Sequence, residues 1–269
     1  GGWRSAARPF APSYPAALAG TDAWRYHLLP AMASSKTDAP PRQRWQILFS
    51  RRDPALRLRQ AQLVDEFARA FREAQLPLSY TAAQRPRPRL KLAANLPVGI
   101  ELRGEVLEAY FDELVPIDRI QAAAELFPDG VELRDAKEVW HGFPSAASQV
   151  RAAEYEVDVI GGEELTSDAL RGAVVRLLAA RRLPGMRRRG ESERRADVGT
   201  RDLRPLIEDV EVMAVDDAAH TARLRCVLRL DASGAGRPED VVGALDLPMR
   251  VVRAVRTRLL FVDTPPIAR

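Results

Sequence analysis

Leu76-Pro77-Leu78-Ser79-Tyr80, then Arg85-Pro86-Arg87-Pro88-Arg89-Leu90-Lys91, then Leu96-Pro97-Val98-Gly99-Ile100-Glu101 form the stretch on which the fold turns. Proline pushes its predecessor out of the helical region, so Leu76-Pro77 ends a helix. That helix is written upstream in Val64, Phe67, Phe71 and Ala74, with Arg69, Arg72 and Glu73 on its outer face. Asp53-Pro54 offers it an N-cap and a first-turn proline. Before it, Trp45, Ile47 and Phe49 alternate with Arg44, Gln46 and Leu48 as a half-buried strand. After the basic loop, Leu90, Leu92, Ala94 and Leu96 alternate as a second strand. Residues 105–114 make a third, with Leu107, Ala109 and Phe111 on one face.

Working outward, Pro116 opens a short helix on Ile117, Ile120 and Ala124. Pro128-Asp129-Gly130 is a turn into a fourth strand over 131–140. The order β-α-β-β-α-β is the split βαβ arrangement, in which helices cover one sheet face and leave the other free. A similar order recurs downstream. Tyr155, Val157 and Val159 form a strand, 167–182 a helix, 203–215 and 222–230 two strands, 238–245 a helix and 252–262 a last strand. The expected fold is therefore α+β, two tandem ferredoxin-like (split β-α-β) units with antiparallel sheets. Residues 1–41 read as a tail, 42–140 as the first unit, 141–153 as a linker, 154–263 as the second unit and 264–269 as a terminal tail.

Composition bounds the chemistry. The chain has 269 residues, 46% hydrophobic and 29% charged, which is ordinary for a globular protein. No run approaches the roughly 18 apolar residues that a membrane span needs. The net charge is +4 and the pI near 9.6, a balance that permits an acidic partner such as RNA without requiring one. The single Cys226 makes no internal disulfide, so a reducing cytoplasm is the expected setting. One cysteine with His27, His141 and His220 provides neither an iron–sulfur cluster nor a structural zinc site, so no metal and no cofactor is expected. Cys226 falls in the alternation Leu224, Cys226, Leu228, Leu230 and reads as core. In the tail, Met32-Ala33-Ser34-Ser35-Lys36 resembles a translation start, and Trp24-Arg25-Tyr26-His27-Leu28-Leu29 a short docking motif at most.

Four motifs, taken together, carry a family resemblance: Leu76 to Tyr80 with Pro86 and Pro88, Leu96 to Glu101, Ala153-Glu154-Tyr155-Glu156-Val157, and Asp202-Leu203-Arg204-Pro205-Leu206-Ile207. In these the chain resembles the radical-SAM-linked domain family over about residues 42–262. The resemblance implies a bacterial protein that accompanies a B12-binding radical SAM protein. Members are often encoded beside a ribonuclease of the E/G type and ribosomal proteins, so RNA or the ribosome enters by association. The chain departs from the family's pattern twice. A Ser-His-Leu-Asp-like stretch is replaced by Arg59-Gln60-Ala61-Gln62, and Gly-Phe-Asn-Pro-His-Pro by Ala83-Gln84-Arg85-Pro86-Arg87-Pro88. The histidines and the aspartate that acid–base or metal chemistry would use are gone.

What replaces them is cationic. Arg85, Arg87, Arg89 and Lys91 share parity, guanidinium forks suit phosphate oxygens, and Tyr80 beside them offers a face for a base. A second cluster holds Arg181 and Arg182 before Pro184-Gly185, and Arg187, Arg188, Arg189, Arg194 and Arg195 after it. Arg223, Arg225, Arg229, Arg256 and Arg258 fall on strand positions that would line a basic groove between the units, opposed by Glu105, Glu108, Asp112 and Glu113. Asp202 and Arg204 read either as a strand-edge ion pair or as part of a site. Ile160-Gly161-Gly162 lacks the lysine and spacing of a phosphate loop. Ser145, Ser148 and His141 lack a nucleophile-elbow context.

Three functions stay open at this level. The first is a non-catalytic adaptor beside a radical SAM partner, binding RNA or a ribosome-related target through basic loops. The others are an RNA-processing or RNA-modifying enzyme with a site between the units, and a protein-interaction subunit without nucleic acid.

Overall fold

Strand β1, Gln43–Arg51, lies between two antiparallel neighbours, β3 (Glu101–Phe111) and β4 (Val131–Glu138). The short β2, Leu90–Leu92, pairs with the other edge of β3. These four strands run β4-β1-β3-β2 across the sheet. Helix α1 (Gln60–Glu73) and α2 (Ile117–Ala124) cover the face built from Ile47, Phe49, Leu107 and Phe111. The computed structural model describes residues 40–97, 99–185, 202–231 and 234–262. The tail motifs, Val98, Arg187, Arg188, Arg189, Arg194 and Arg195 lie outside the described residues.

The second half repeats this order. Strand β5 (Val150–Gly161) lies between β7 (Thr221–Asp231) and β9 (Met249–Phe261), and β6 (Ile207–Asp216) pairs with the far edge of β7. A two-residue β8, Gly234–Ala235, is appended to β7. Helices α4 (Ser167–Ala179) and α5 (Pro238–Ala244) pack their Leu170, Val174, Leu177, Val241 and Val242 on Val157, Val159 and Leu224. Thr166 caps α4 by accepting from the Ala169 N–H.

The architecture is thus mixed α/β with a mostly antiparallel sheet, and it departs from two separate sheets. Parallel pairing of β3 with β9, at Glu101↔Val255 and Leu102↔Arg256, joins everything into one nine-stranded sheet. Gly104 permits that approach, because a Cβ there would stand 3.0 Å from the Thr257 carbonyl oxygen. Gly130 answers a different need: with φ at +86° it closes the Pro128-Asp129-Gly130 turn against the Arg52 carbonyl.

The cores follow the alternation. In the first half Phe49, Phe67, Phe127, Phe71 and Phe111 form a chain of edge-to-face contacts with centroids 4.9 to 6.0 Å apart. Several boundaries differ from the expected ones. Pro54 precedes a 3-10 turn at Ala55–Arg57, and α1 begins only at Gln60, where the Arg59 N–H donates to Gln62 Oε1. Strand β2 stops at Leu92; the Ala93 N–H still donates to the Val106 carbonyl, and beyond it the Asn95 carbonyl accepts from Arg256 at the seam between the halves. Residues 141–153 hold helix α3 (Ala146–Gln149) and the start of β5.

The reverse face of the first half is not free. Leu48 and Val106 join the core of the second half. Arg44 and Glu108 are buried beneath the crossing segment that leads to α3. Glu108 Oε1 binds the Arg44 guanidinium and accepts from the Ala146 N–H at 2.8 Å, while Arg44 donates to the carbonyls of Phe143 and Pro144.

Candidate nucleic-acid interface

The proline-stiffened loop folds back as a hairpin. Ser79 N–H donates to the Tyr110 carbonyl, Tyr110 N–H to Arg89, and Arg89 N–H back to Ser79, at 2.8 to 3.2 Å. One step further out, Thr81 N–H donates to Arg87, and Arg87 N–H to Thr81 Oγ1. Pro88 stands opposite Tyr80, between the bonded pairs, where a missing N–H costs nothing. Leu78 and Ser79 are buried against β3, so the base of the hairpin is anchored while residues 81–87 are exposed.

This scaffold fixes the cations. Arg87, Arg89 and Lys91 lie along one extended arm, and Arg85 sits in the bend at its tip. Lys91 is registered opposite Glu108, and Arg89 lies next to Tyr110. Arg89 Nε also donates to the Tyr80 carbonyl, which ties the arm to a tyrosine left 36% exposed. Among the described residues no carboxylate lies within ion-pair distance of Arg85, Arg87, Arg89 or Lys91. On the strands of the second half such pairing is common, at Arg223, Arg225, Arg229, Arg253, Arg256 and Arg258.

The expected basic groove is corrected on those grounds. Arg223 pairs with Asp158, and Arg225 with Glu154, Asp209 and Glu211. Arg229 pairs with Asp231, and Arg258 with Glu154. Cross-strand register sets an acid of β5 or β6 opposite Arg223, Arg225, Arg253 and Arg258, so this face is a lattice of opposite charges. Burial pushes the Glu154 carboxyl up, but its bonds from Arg258, Thr257 and Arg225 outweigh that and leave it below the ordinary value.

Arg256 faces inward. It and Glu105 are each 1% exposed and joined by an ion pair across the β3–β9 seam. Both guanidinium NH groups of Arg256 also donate to the Asn95 carbonyl at 3.2 Å. Arg51, buried in the same cluster, donates to the carbonyls of Pro97, Ile100 and Leu58. Backbone oxygens of Asn95, Pro97 and Ile100 therefore hold the two buried arginines, Arg256 and Arg51. Gln60, at one replaced family position, accepts from the Leu96 N–H and holds that stretch to α1. Burial pushes the Glu105 carboxyl up against the opposing pull of Arg256 and Arg51. Sequence reasoning missed this cluster, although a charged residue at an apolar-parity position, such as Glu105 among Leu107, Ala109 and Phe111, is its signal.

Asp202 and Arg204 are brought together as a backbone clasp. Asp202 Oδ1 accepts from the N–H groups of Leu183 and Arg204, while Arg204 donates to the carbonyls of Ile207 and Leu178. They join the end of α4 to the entry of β6. Those two backbone bonds hold the Asp202 carboxyl below the ordinary aspartate value. Cys226 is fully buried, and burial pushes its thiol up to about 12. Among the described residues no three His, Cys, Asp or Glu gather as a metal site, and no helix is long and apolar enough to cross a membrane.

Comparison with known structures returns distant likenesses. A chain of a Cbf5-Nop10-Gar1 complex is 10% identical with a TM-score of 0.44, covering 80% of this chain, which spans about half (48%) of that one. A putative glycine cleavage system transcriptional repressor is 11% identical with a TM-score of 0.24, covering 80% of this chain and 98% of its own. An encapsulated DyP-type peroxidase from Mycobacterium smegmatis is 11% identical with a TM-score of 0.22, covering 86% and 97%. No curated protein matches. The family described as an uncharacterized protein conserved in bacteria (DUF2344) matches residues 44–238, most of the folded chain. The chain belongs to that family.

Proposed function

We propose that this chain is a non-catalytic adaptor that binds RNA, or a ribosome-related RNA target, through the 79–91 hairpin. One observation carries the reading. In a fold most of whose strand arginines are matched to carboxylates, four cations stand together on an anchored hairpin whose tip is exposed, with no carboxylate partner among the described residues. Guanidinium groups held on a stiff backbone bind phosphate oxygens with little ordering cost. On this reading each half of the molecule is a ferredoxin-like unit, supported by the matching strand orders β4-β1-β3-β2 and β9-β5-β7-β6. The partner is a radical SAM protein in the bacterial cytoplasm, a reading that rests on the motif resemblance.

A catalytic site between the halves has less to support it. The titratable groups buried at the seam, Arg51, Glu105 and Arg256, are each 1% exposed, and those that reach solvent there, Glu101, Arg103, Glu156 and Arg253, are tied up in ion pairs, whereas catalysis needs groups free to contact substrate. The test is binding of the whole chain to a labelled oligouridylate across a salt series. Phosphate contacts predict an affinity that falls linearly on a log–log plot as salt rises. Absence of binding at low salt would remove RNA from the account and leave the protein-interaction reading.

A further inference from the structure

We propose that the turn Trp140-His141-Gly142-Phe143 is a base-stacking platform, so that the RNA bound is single-stranded. The proposal rests on the nucleic-acid reading of the hairpin and adds a second site to it. Trp140 is 72% and Phe143 59% exposed, although either ring in a core would bury a large apolar area. The two rings meet edge to face, with centroids 5.9 Å apart.

The turn is built rather than loose. Phe143 N–H donates to the Trp140 carbonyl, and the buried Arg44 guanidinium donates to the carbonyls of Phe143 and Pro144 at 2.8 and 2.9 Å. The indole lies across Gly142, where a Cβ would come within 2.2 Å of the ring. Any other residue there would displace Trp140.

Tyr110 links this turn to the hairpin. Its ring lies 6.3 Å from that of His141 and under the Arg44 guanidinium, and its N–H is bonded to Arg89. Aromatic rings and cations without a carboxylate partner thus stand on either side of one residue. That is the pairing single strands use: bases stack on aromatic faces while the backbone follows the cations. Paired bases in an A-form duplex offer no free face, so a duplex would engage the cations alone.

The test compares a labelled oligouridylate with a fully paired RNA of equal length, using the intact chain, Trp140→Ala, Phe143→Ala and Trp140→Phe. Each alanine variant should lose about tenfold in affinity for the single strand, while its salt slope stays that of the unmodified chain. Trp140→Phe should keep most of the affinity. Both side chains are exposed, so circular dichroism should show the fold intact. Single-strand binding that survives both alanine variants, or duplex binding as tight as single-strand binding, would overturn the platform while leaving the hairpin reading in place. Failure of the unmodified chain to bind either RNA would overturn both.

Discussion

Arg256 and Glu105 form an ion pair in the interior, each 1% exposed, across the only parallel strand pairing among the described residues. Two charges removed from water are costly, and mutual attraction repays the cost only while both partners remain. Replacing one alone, as in Arg256→Met or Glu105→Leu, should destabilise the fold by about 3–5 kcal/mol in urea unfolding. The double replacement should recover much of that loss. A single variant as stable as the unmodified chain would show that the pair is not what closes the seam.

The Arg44–Glu108 pair makes a different prediction, because it pins a crossing segment. Glu108→Gln weakens the hold on Arg44 and offers the Ala146 N–H a poorer acceptor. Amide exchange at Ala146 should accelerate, and protease should cut within residues 139–149 before the flanking strands. Unchanged exchange there would mean that the apolar packing of Ala146 and Val150 holds the segment by itself.

Cys226 gives a simple accessibility test. Burial removes solvent from around the thiol and pushes it up to about 12, so almost none is thiolate at neutral pH. A thiol-reactive dye should label the chain only after denaturation. Rapid labelling of the native chain would contradict the position of β7 in the core.

Asp202 sets part of the acid limit. Its folded-state carboxyl lies below the ordinary value of 3.8 because the Leu183 and Arg204 N–H groups favour the charged form. A depressed carboxyl contributes stability above its unfolded value, and that stability is lost as pH falls through the ordinary value toward the folded one. Asp202→Asn should therefore be less stable near neutrality and show a shallower loss on acidification. Parallel acid-unfolding curves would place the dependence elsewhere.

Much of this architecture is legible locally. Alternation in Trp45, Ile47 and Phe49, the proline at 77 and the turn at 128–130 encode elements whose periods are set by their own neighbours. The seam is not encoded that way. Parallel pairing of β3 with β9 joins residues far apart in sequence, so no periodicity marks it, and Arg256 reads as one more surface cation. The same limit hid the lattice around Arg225, whose acids come from two other strands. For the hairpin, the cations and prolines are plain in the sequence. The link through Tyr110 to Trp140 and Phe143 is tertiary and appears only once β3 is flanked by both segments.

The hairpin's role is tested most directly by reversing its charge. Arg85→Glu, Arg87→Glu and Arg89→Glu together should leave the fold intact, because apart from the exposed Arg89–Tyr80 bond the anchoring bonds are made by backbone atoms and Thr81. Binding of an oligouridylate should fall steeply. The slope of log affinity against log salt should become shallower by about 2, at roughly 0.7 for each phosphate that the hairpin no longer neutralises. An affinity and a salt slope equal to those of the unmodified chain would contradict the account.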